Sequence, residues 1–263
     1  MRRVQQVVTP RPSASVILVR DGSNGLETFM VRRHARSPVA PSAYVFPGGT
    51  VRTDDAAPAE SAELAQLLSA RSDSRVAPAE AGLFYVSAVR ELFEEAGVLL
   101  ARDVQRRLVT VDGADDVLQE RLASTRLALQ ARDFSLARVL ADWGWQPAYD
   151  LLVPFSHWVT PAVLAARFDT RFFVARMPPG QAALHDTIET SEGVWLSPAR
   201  ALDDDYHTVY ATAQHLRRLS PFRSVDELLA FARAKPIKTV QPEVVEGGSG
   251  LSVFITPELV DSW

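Results

Sequence analysis

Glu91, Glu94 and Glu95 fall within the run Arg90-Glu91-Leu92-Phe93-Glu94-Glu95-Ala96-Gly97-Val98. Side chains three and four residues apart share a helix face, so Glu91 faces both other acids. Three like charges held that close need positive charge between them, and the adjacent Arg90 supplies only one. A divalent cation meets the need, and hard oxygen ligands select Mg²⁺ or Mn²⁺. A solvated acidic helix face is the alternative that such a pattern also allows.

Elements must exist to position these acids. Pro78 suits a first helical turn and Gly97 a left-handed cap, so a helix is predicted from about Ala79 to Ala96. Val86, Val89, Phe93 and Ala96 form its apolar stripe, with the acids at the core's edge. The helix then enters Val98-Leu99-Leu100, which reads as a strand. Upstream, Tyr44-Val45-Phe46 reads as a strand ending in a Pro47-Gly48-Gly49 turn, where backbone can approach a ligand closely.

Together these segments resemble the signature of the Nudix hydrolases: Gly, five residues, Glu, seven residues, then Arg-Glu-apolar-x-Glu-Glu-x-Gly-apolar. Arg90, Glu91, Leu92, Glu94, Glu95, Gly97 and Val98 match its second half, and Gly49 its first. The signature places Arg fourteen positions after Gly. Here the interval is 41 residues, by subtraction of 49 from 90, so about 27 residues split the box. Asp55 stands at the position of the first Glu. Counting back from Arg90 instead reaches Gly82, with Glu80 nearby, so the fourth acid stays open between these frames.

The resemblance covers roughly Ser13 to Arg200. It implies an α+β fold, the Nudix sandwich of a mixed sheet between helices, with an inserted helical elaboration. It implies that Glu94 and Glu95 are metal ligands, that Glu91 is a ligand or a base, and that the Gly49 carbonyl is a further candidate ligand. Arg90 is expected to orient a Glu by a charge-assisted bond. A loop acid before the last core strand is a further candidate ligand or base, and Glu189 and Glu192 both qualify, Glu189 the better. For substrate phosphates the candidates are Arg33, Arg36 and Arg171, with Arg32 and Arg167 beside them. His157 and His185 read as packing or surface residues.

The implied reaction is metal-dependent hydrolysis of a diphosphate linkage in a small-molecule nucleoside diphosphate derivative. The split box, with the Trp158-Val159-Thr160-Pro161 and Phe168-Asp169-Thr170-Arg171-Phe172-Phe173 runs, resembles the Nudix branch that includes peroxisomal coenzyme A diphosphatases of animals and bacterial relatives. That favours coenzyme A or acyl-coenzyme A. ADP-ribose or a dinucleotide is the alternative substrate, and a non-catalytic Nudix binding module the alternative class.

The rest of the chain sets bounds. One domain is expected over residues 1–263. Its core spans about 13–200, with an insertion at about 53–80, a helical elaboration at about 112–146, and C-terminal helices and a hairpin over 201–263. Within the insertion Ser61–Ala70 reads as a short helix, and its solvated-looking ends favour a looped-out spacer over a cap on the cleft or a dimer contact. The absence of cysteine excludes disulfides, thiol catalysis and Cys-ligated zinc. A net charge of −4 without a basic tract argues against nucleic acid. Met1-Arg2-Arg3-Val4-Gln5-Gln6 is not followed by a signal-like apolar stretch, Leu259–Trp263 is not a peroxisomal address, and nothing approaches a membrane span. The expectation is a cytoplasmic protein without membrane association, with a homodimer as the oligomer to test.

Overall fold

Residues 8–55, 61–72, 75–111, 113–114, 116–247, 250–260 and 262–263 are described by a computed structural model of the chain. In order they form β1 (Arg11–Gly22), β2 (Gly25–Arg33), β3 (Tyr44–Val45), β4 (Gly48–Thr50), α1 (Ser61–Ser69), α2 (Pro78–Ala96), β5 (Ala101–Arg102), α3 (Asp116–Ala131), α4 (Leu136–Asp142) and β6 (Gln146–Pro147). There follow β7 (Val153–Val159), β8 (Phe168–Arg176), β9 (Thr190–Leu196), α5 (Tyr210–Leu219), α6 (Val225–Ala234), β10 (Thr239–Val240), β11 (Glu243–Gly247), β12 (Gly250–Phe254) and α7 (Pro257–Val260).

One mixed sheet runs in the order β10-β7-β8-β1-β2-β3, with β4 also on β1 and β9 also on β2. β1 pairs parallel with β8 and antiparallel with β2. The period-two alternation of a strand gives each face its own core. Val16, Leu18, Phe29, Val31 and Phe173 bury against α1 to α4, whereas Ile17, Met30, Phe172 and Val174 bury against α5 and α6. A sheet covered by helices on both faces is the α/β/α sandwich expected from the sequence.

The acid-bearing α2 forms for the expected reasons. Pro78 occupies its first turn, and Gly97 takes φ 68° while its N–H bonds the Phe93 carbonyl. Its buried face includes Phe84, Tyr85, Val89 and Leu92. The segment after it differs from expectation. Val98, Leu99 and Leu100 are buried, yet only Ala101–Arg102 pairs as a strand, with β6. The Leu99 backbone is instead satisfied by the Gln181 side chain, whose amide bonds both its N–H and its carbonyl. Burial of apolar residues therefore did not require a ladder, because another partner took the backbone groups.

The box insertion also departs from a looped-out spacer. Leu64, Ala65 and Leu68 of α1 bury in the core against α2. Its ends are anchored. Asp55 is 1 % exposed, and the Arg71 guanidinium reaches the Ala232, Lys235 and Pro154 carbonyls at the end of α6 and in β7. Residues 56–60 and 73–74 of the insertion, the N-terminal run Met1 to Gln6, and residues 248–249 lie outside the described residues.

Candidate functional site

Pro47 is a bend, and Gly48 and Gly49 continue as the short strand β4 rather than as a turn. Gly48 and Gly49 pair with Ser15 and Ala14 of β1, and the Pro47 carbonyl accepts from Val16 N at 2.8 Å and from Ser15 Oγ at 3.1 Å. Gly48 is required by close backbone, and Gly49 leaves room for the Glu91 carboxyl group. A Cβ on Gly48 would stand 2.6 Å from the Ala14 carbonyl and 2.7 Å from Ser15 Cα, and one on Gly49 would stand 2.5 Å from Glu91 Oε1. The absent side chains let α2 lie close enough for Gly48 N to donate to Glu95 Oε2 at 2.9 Å.

Gly82, the alternative start of the box, lies inside α2 and cannot form the opening strand. The frame that starts at Gly49 closes through an ion pair across the insertion. Arg90 donates to Asp55 from Nε at 2.7 Å and from Nη2 at 2.8 Å. It also bonds Glu91 at 2.6 Å, lies 3.4 Å from Glu94, and donates to the Thr50 carbonyl and Ser87 Oγ. Burial would lower the Arg90 pKa, but the bonds from Asp55 and the charges of Glu91, Asp55 and Glu94 more than reverse this.

All three helix acids are buried. Desolvation is the largest cause of the Glu91 shift up to about 7, opposed by Arg90 and reinforced by Glu94. Glu95 is raised well above a normal carboxyl, by burial and then by the Glu91 charge. Glu94 is raised by burial, against the pull of Arg90 and Arg52. Glu91 and Glu95 thus sit as neighbouring buried acids whose charged forms are disfavoured by burial and by each other. That donor set fits a hard divalent cation. Among the described residues no three acidic or imidazole side chains converge on one point. Both Glu94 oxygens are held by Arg52, at 2.9 and 2.8 Å.

The loop before β9 docks on the end of α2, with Leu184 N on the Ala96 carbonyl at 2.8 Å and Asp186 N on the Glu95 carbonyl at 3.2 Å. Asp186 then organises the loop, accepting from the N–H groups of Ile188 and Glu189, both at 2.6 Å, and from Thr190 Oγ1 at 2.8 Å. Glu189 is exposed on this loop, lines the cleft and lies close enough to raise both Glu94 and Glu95 electrostatically. Glu192 accepts from Tyr44 Oη at 2.7 Å beside Arg32 and does not line the cleft. That bond, after burial, helps push the Tyr44 hydroxyl up to about 12.

The cleft holds about 570 Å³, a volume suited to a small-molecule ligand. It is lined by Glu91, Glu189, Arg33 and Arg52 with Gly48 and Gly49, and by apolar side chains that include Trp158, Pro161, Leu164, Phe168, Phe172 and Val253. Arg33 lines it while bonded to Ser37 Oγ and the Val39 carbonyl. Arg36 is exposed and lies outside the lining. Arg171 is also outside it. Strand alternation puts Phe168, Thr170 and Phe172 in the cleft and turns Arg171 to the other face, over the Phe84 ring at 5.5 Å. Arg167 is buried on the Thr160 and Val8 carbonyls, His157 lies between Asp169 and Thr239, and His185 packs over Gly193. Sequence reasoning missed Arg52, Asp186, Arg11 and Arg132. The last two line the cleft, and Arg132 takes φ 64° just after α3.

α3, an addition to the sandwich, braces this site. Arg126 donates to the Glu94 and Leu184 carbonyls, both at 2.8 Å, and Gln130 donates to the Glu94 carbonyl at 3.0 Å. It thereby satisfies the open carbonyl end of α2 and holds the Glu189 loop against it.

Comparison with known proteins agrees with this architecture. A family model described as the NUDT19 Nudix domain matches residues 58–211. The acyl-coenzyme A diphosphatase NUDT19 of Xenopus laevis is 26% identical over 247 residues, covering 80% of this chain and 64% of the frog protein. The chain therefore spans under two thirds of that relative's length. A putative nudix hydrolase 7 of Caenorhabditis elegans is 25% identical over 245 residues, covering 89% of this chain and 71% of the worm protein. Among solved structures, a NUDIX hydrolase from Alicyclobacillus acidocaldarius superposes with a TM-score of 0.67 at 23% identity, covering 85% of this chain and 96% of that one, which is a likeness of fold. With the family model matching more than half of its length, the chain belongs to the NUDT19 Nudix domain family of Nudix hydrolases.

Proposed function

We propose that this protein hydrolyses the diphosphate linkage of coenzyme A or acyl-coenzyme A in a reaction that needs Mg²⁺ or Mn²⁺. One observation carries the reading: the buried acids of α2 lie against Gly48–Gly49, and Glu91 lines a cleft that also has a large share of apolar side chains. A diphosphate joined to a long, weakly polar arm matches this mixed lining. ADP-ribose offers no comparable apolar arm. The acyl-coenzyme A diphosphatase names of the relatives point the same way.

Glu91, Glu94 and Glu95 would hold the metal, with the Gly49 carbonyl as a further candidate. The bound cation would neutralise charge that develops on the phosphoryl oxygens. Glu189 takes the proton from the attacking water, its loop held by Asp186. Arg90 orients Glu91 and Glu94, and Arg33 binds a phosphate that is not attacked. The whole of residues 1–263 acts as one domain. Incubation with coenzyme A, acyl-coenzyme A, ADP-ribose and dinucleotides, with and without Mg²⁺ and read by HPLC, tests the assignment. The coenzyme A compounds should be cleaved fastest and only with metal; equal rates on coenzyme A and ADP-ribose defeat the preference.

A further inference from the structure

Arg52 opens the box insertion, in a stretch of chain that makes no ladder bonds. Its N–H donates to Asp55 Oδ2 at 2.8 Å, so the carboxylate that locks Arg90 also sets the turn that carries Arg52. The guanidinium then grips Glu94 by both oxygens, at 2.9 and 2.8 Å, and donates to the Leu129 carbonyl at 3.0 Å. Both partners are mostly buried, with 11% and 4% of their side chains exposed. Arg52 nonetheless lines the cleft together with Glu91 and Glu189.

This geometry conflicts with a metal-ligating Glu94 unless something moves. The guanidinium fork takes the two inner lone pairs of the carboxylate, the ones a chelating divalent cation would use, and a cation on the outer lone pairs would stand close to the guanidinium charge and be repelled by it. Arg90 lies only 3.4 Å from the same carboxylate, but it is fixed by Asp55, Thr50 and Ser87. Arg52 is the guanidinium with a second place to go. Its planar fork fits phosphate oxygens as well as it fits a carboxylate, and the cleft beside it is where a diphosphate would lie.

We infer that Arg52 is a displaceable counter-ion of Glu94, which it neutralises in the metal-free protein and leaves for the substrate's diphosphate when a divalent cation binds. The inference rests on the reading of α2 as a metal site. Metal and substrate binding are then coupled: the cation frees the arginine, and the arginine then binds the substrate.

Mn²⁺ titration of the substrate-free protein by calorimetry and by electron paramagnetic resonance tests this without any turnover. Arg52→Gln should bind Mn²⁺ about tenfold more tightly than wild type, because no guanidinium has to be displaced. Arg52→Lys, which keeps the charge and loses the fork, should fall between them, and it decides the matter if Arg52→Gln does not fold. The non-hydrolysable methylene diphosphonate should bind the Mn²⁺-loaded wild type more tightly than the loaded Arg52→Gln. Unchanged or weaker Mn²⁺ binding in both variants, with Glu95→Gln abolishing it, overturns the counter-ion role alone. No Mn²⁺ binding by wild type overturns the metal site and the inference with it.

Discussion

Asp55 and Arg90 are 35 residues apart in sequence and share two hydrogen bonds, of 2.7 and 2.8 Å, with both side chains almost fully buried. This pair rejoins a box that the insertion has divided. It places Gly49 and the acids of α2 in one site although 41 positions separate Gly49 from Arg90. Asp55 is the partner of Arg90 and a support for Arg52 rather than a fourth acid free for metal.

Removal of one side of this pair leaves a buried charge without its partner, which costs about 3–5 kcal/mol in comparable sites. We expect Asp55→Ala to lose that much stability by urea unfolding and to lose activity as α2 shifts. A loss under 1 kcal/mol, on the order of an exposed pair, would mean that Arg90 finds another partner.

Glu94→Gln and Glu95→Gln should each keep the fold, as judged by circular dichroism, while metal-dependent turnover drops by about 10²–10³. Unchanged turnover in either variant removes that residue from the metal site.

The insertion helix is core, so truncation there should be costly. We expect Leu64→Ala or Leu68→Ala to destabilise by about 2–5 kcal/mol. A cost near zero in both would restore the looped-out spacer.

His215 supplies a pH signature away from the acids. It is fully buried, bonds Ser156 Oγ at 2.6 Å and the Ala211 carbonyl at 2.7 Å, and stands near Lys235 and Arg218. Burial first, and then those two cations, push its pKa down to about 3 from 6.5, while the Ala211 bond opposes the shift. A base with a depressed native pKa leaves the unfolded chain holding the extra proton. Stability is therefore lost as pH falls from about 6.5 towards 3, at up to about 1.4 kcal/mol per pH unit for this one group. His215→Asn should flatten the slope of unfolding free energy against pH by about one proton across that window. An unchanged slope would show that His215 titrates normally in the native protein.

The acid helix was legible because helical periodicity, an N-terminal proline and a capping glycine all act locally. The order of elements pointed to a mixed sheet between helices, and the resemblance implied the sandwich. Residues joined by long-range pairing were not legible. Arg52 reaches Glu94 across 42 positions and Arg71 reaches Ala232 across 161, and neither leaves a periodic trace. Arg171 could have been placed by the alternation of β8, since Phe168, Thr170 and Phe172 share the opposite face. Val98 to Leu100 misled because apolar content alone does not say whether buried backbone is met by a neighbouring strand or by a side chain such as Gln181.

The central claim is metal-dependent cleavage of coenzyme A at the acids of α2. HPLC of coenzyme A incubated with wild type and with Glu95→Gln, each with and without Mg²⁺, tests it most directly. An adenosine bisphosphate and a phosphopantetheine should appear rapidly only with wild type and Mg²⁺, and at least about 10²-fold more slowly with Glu95→Gln. Cleavage by Glu95→Gln at the wild-type rate, or cleavage that does not need the metal, would contradict it.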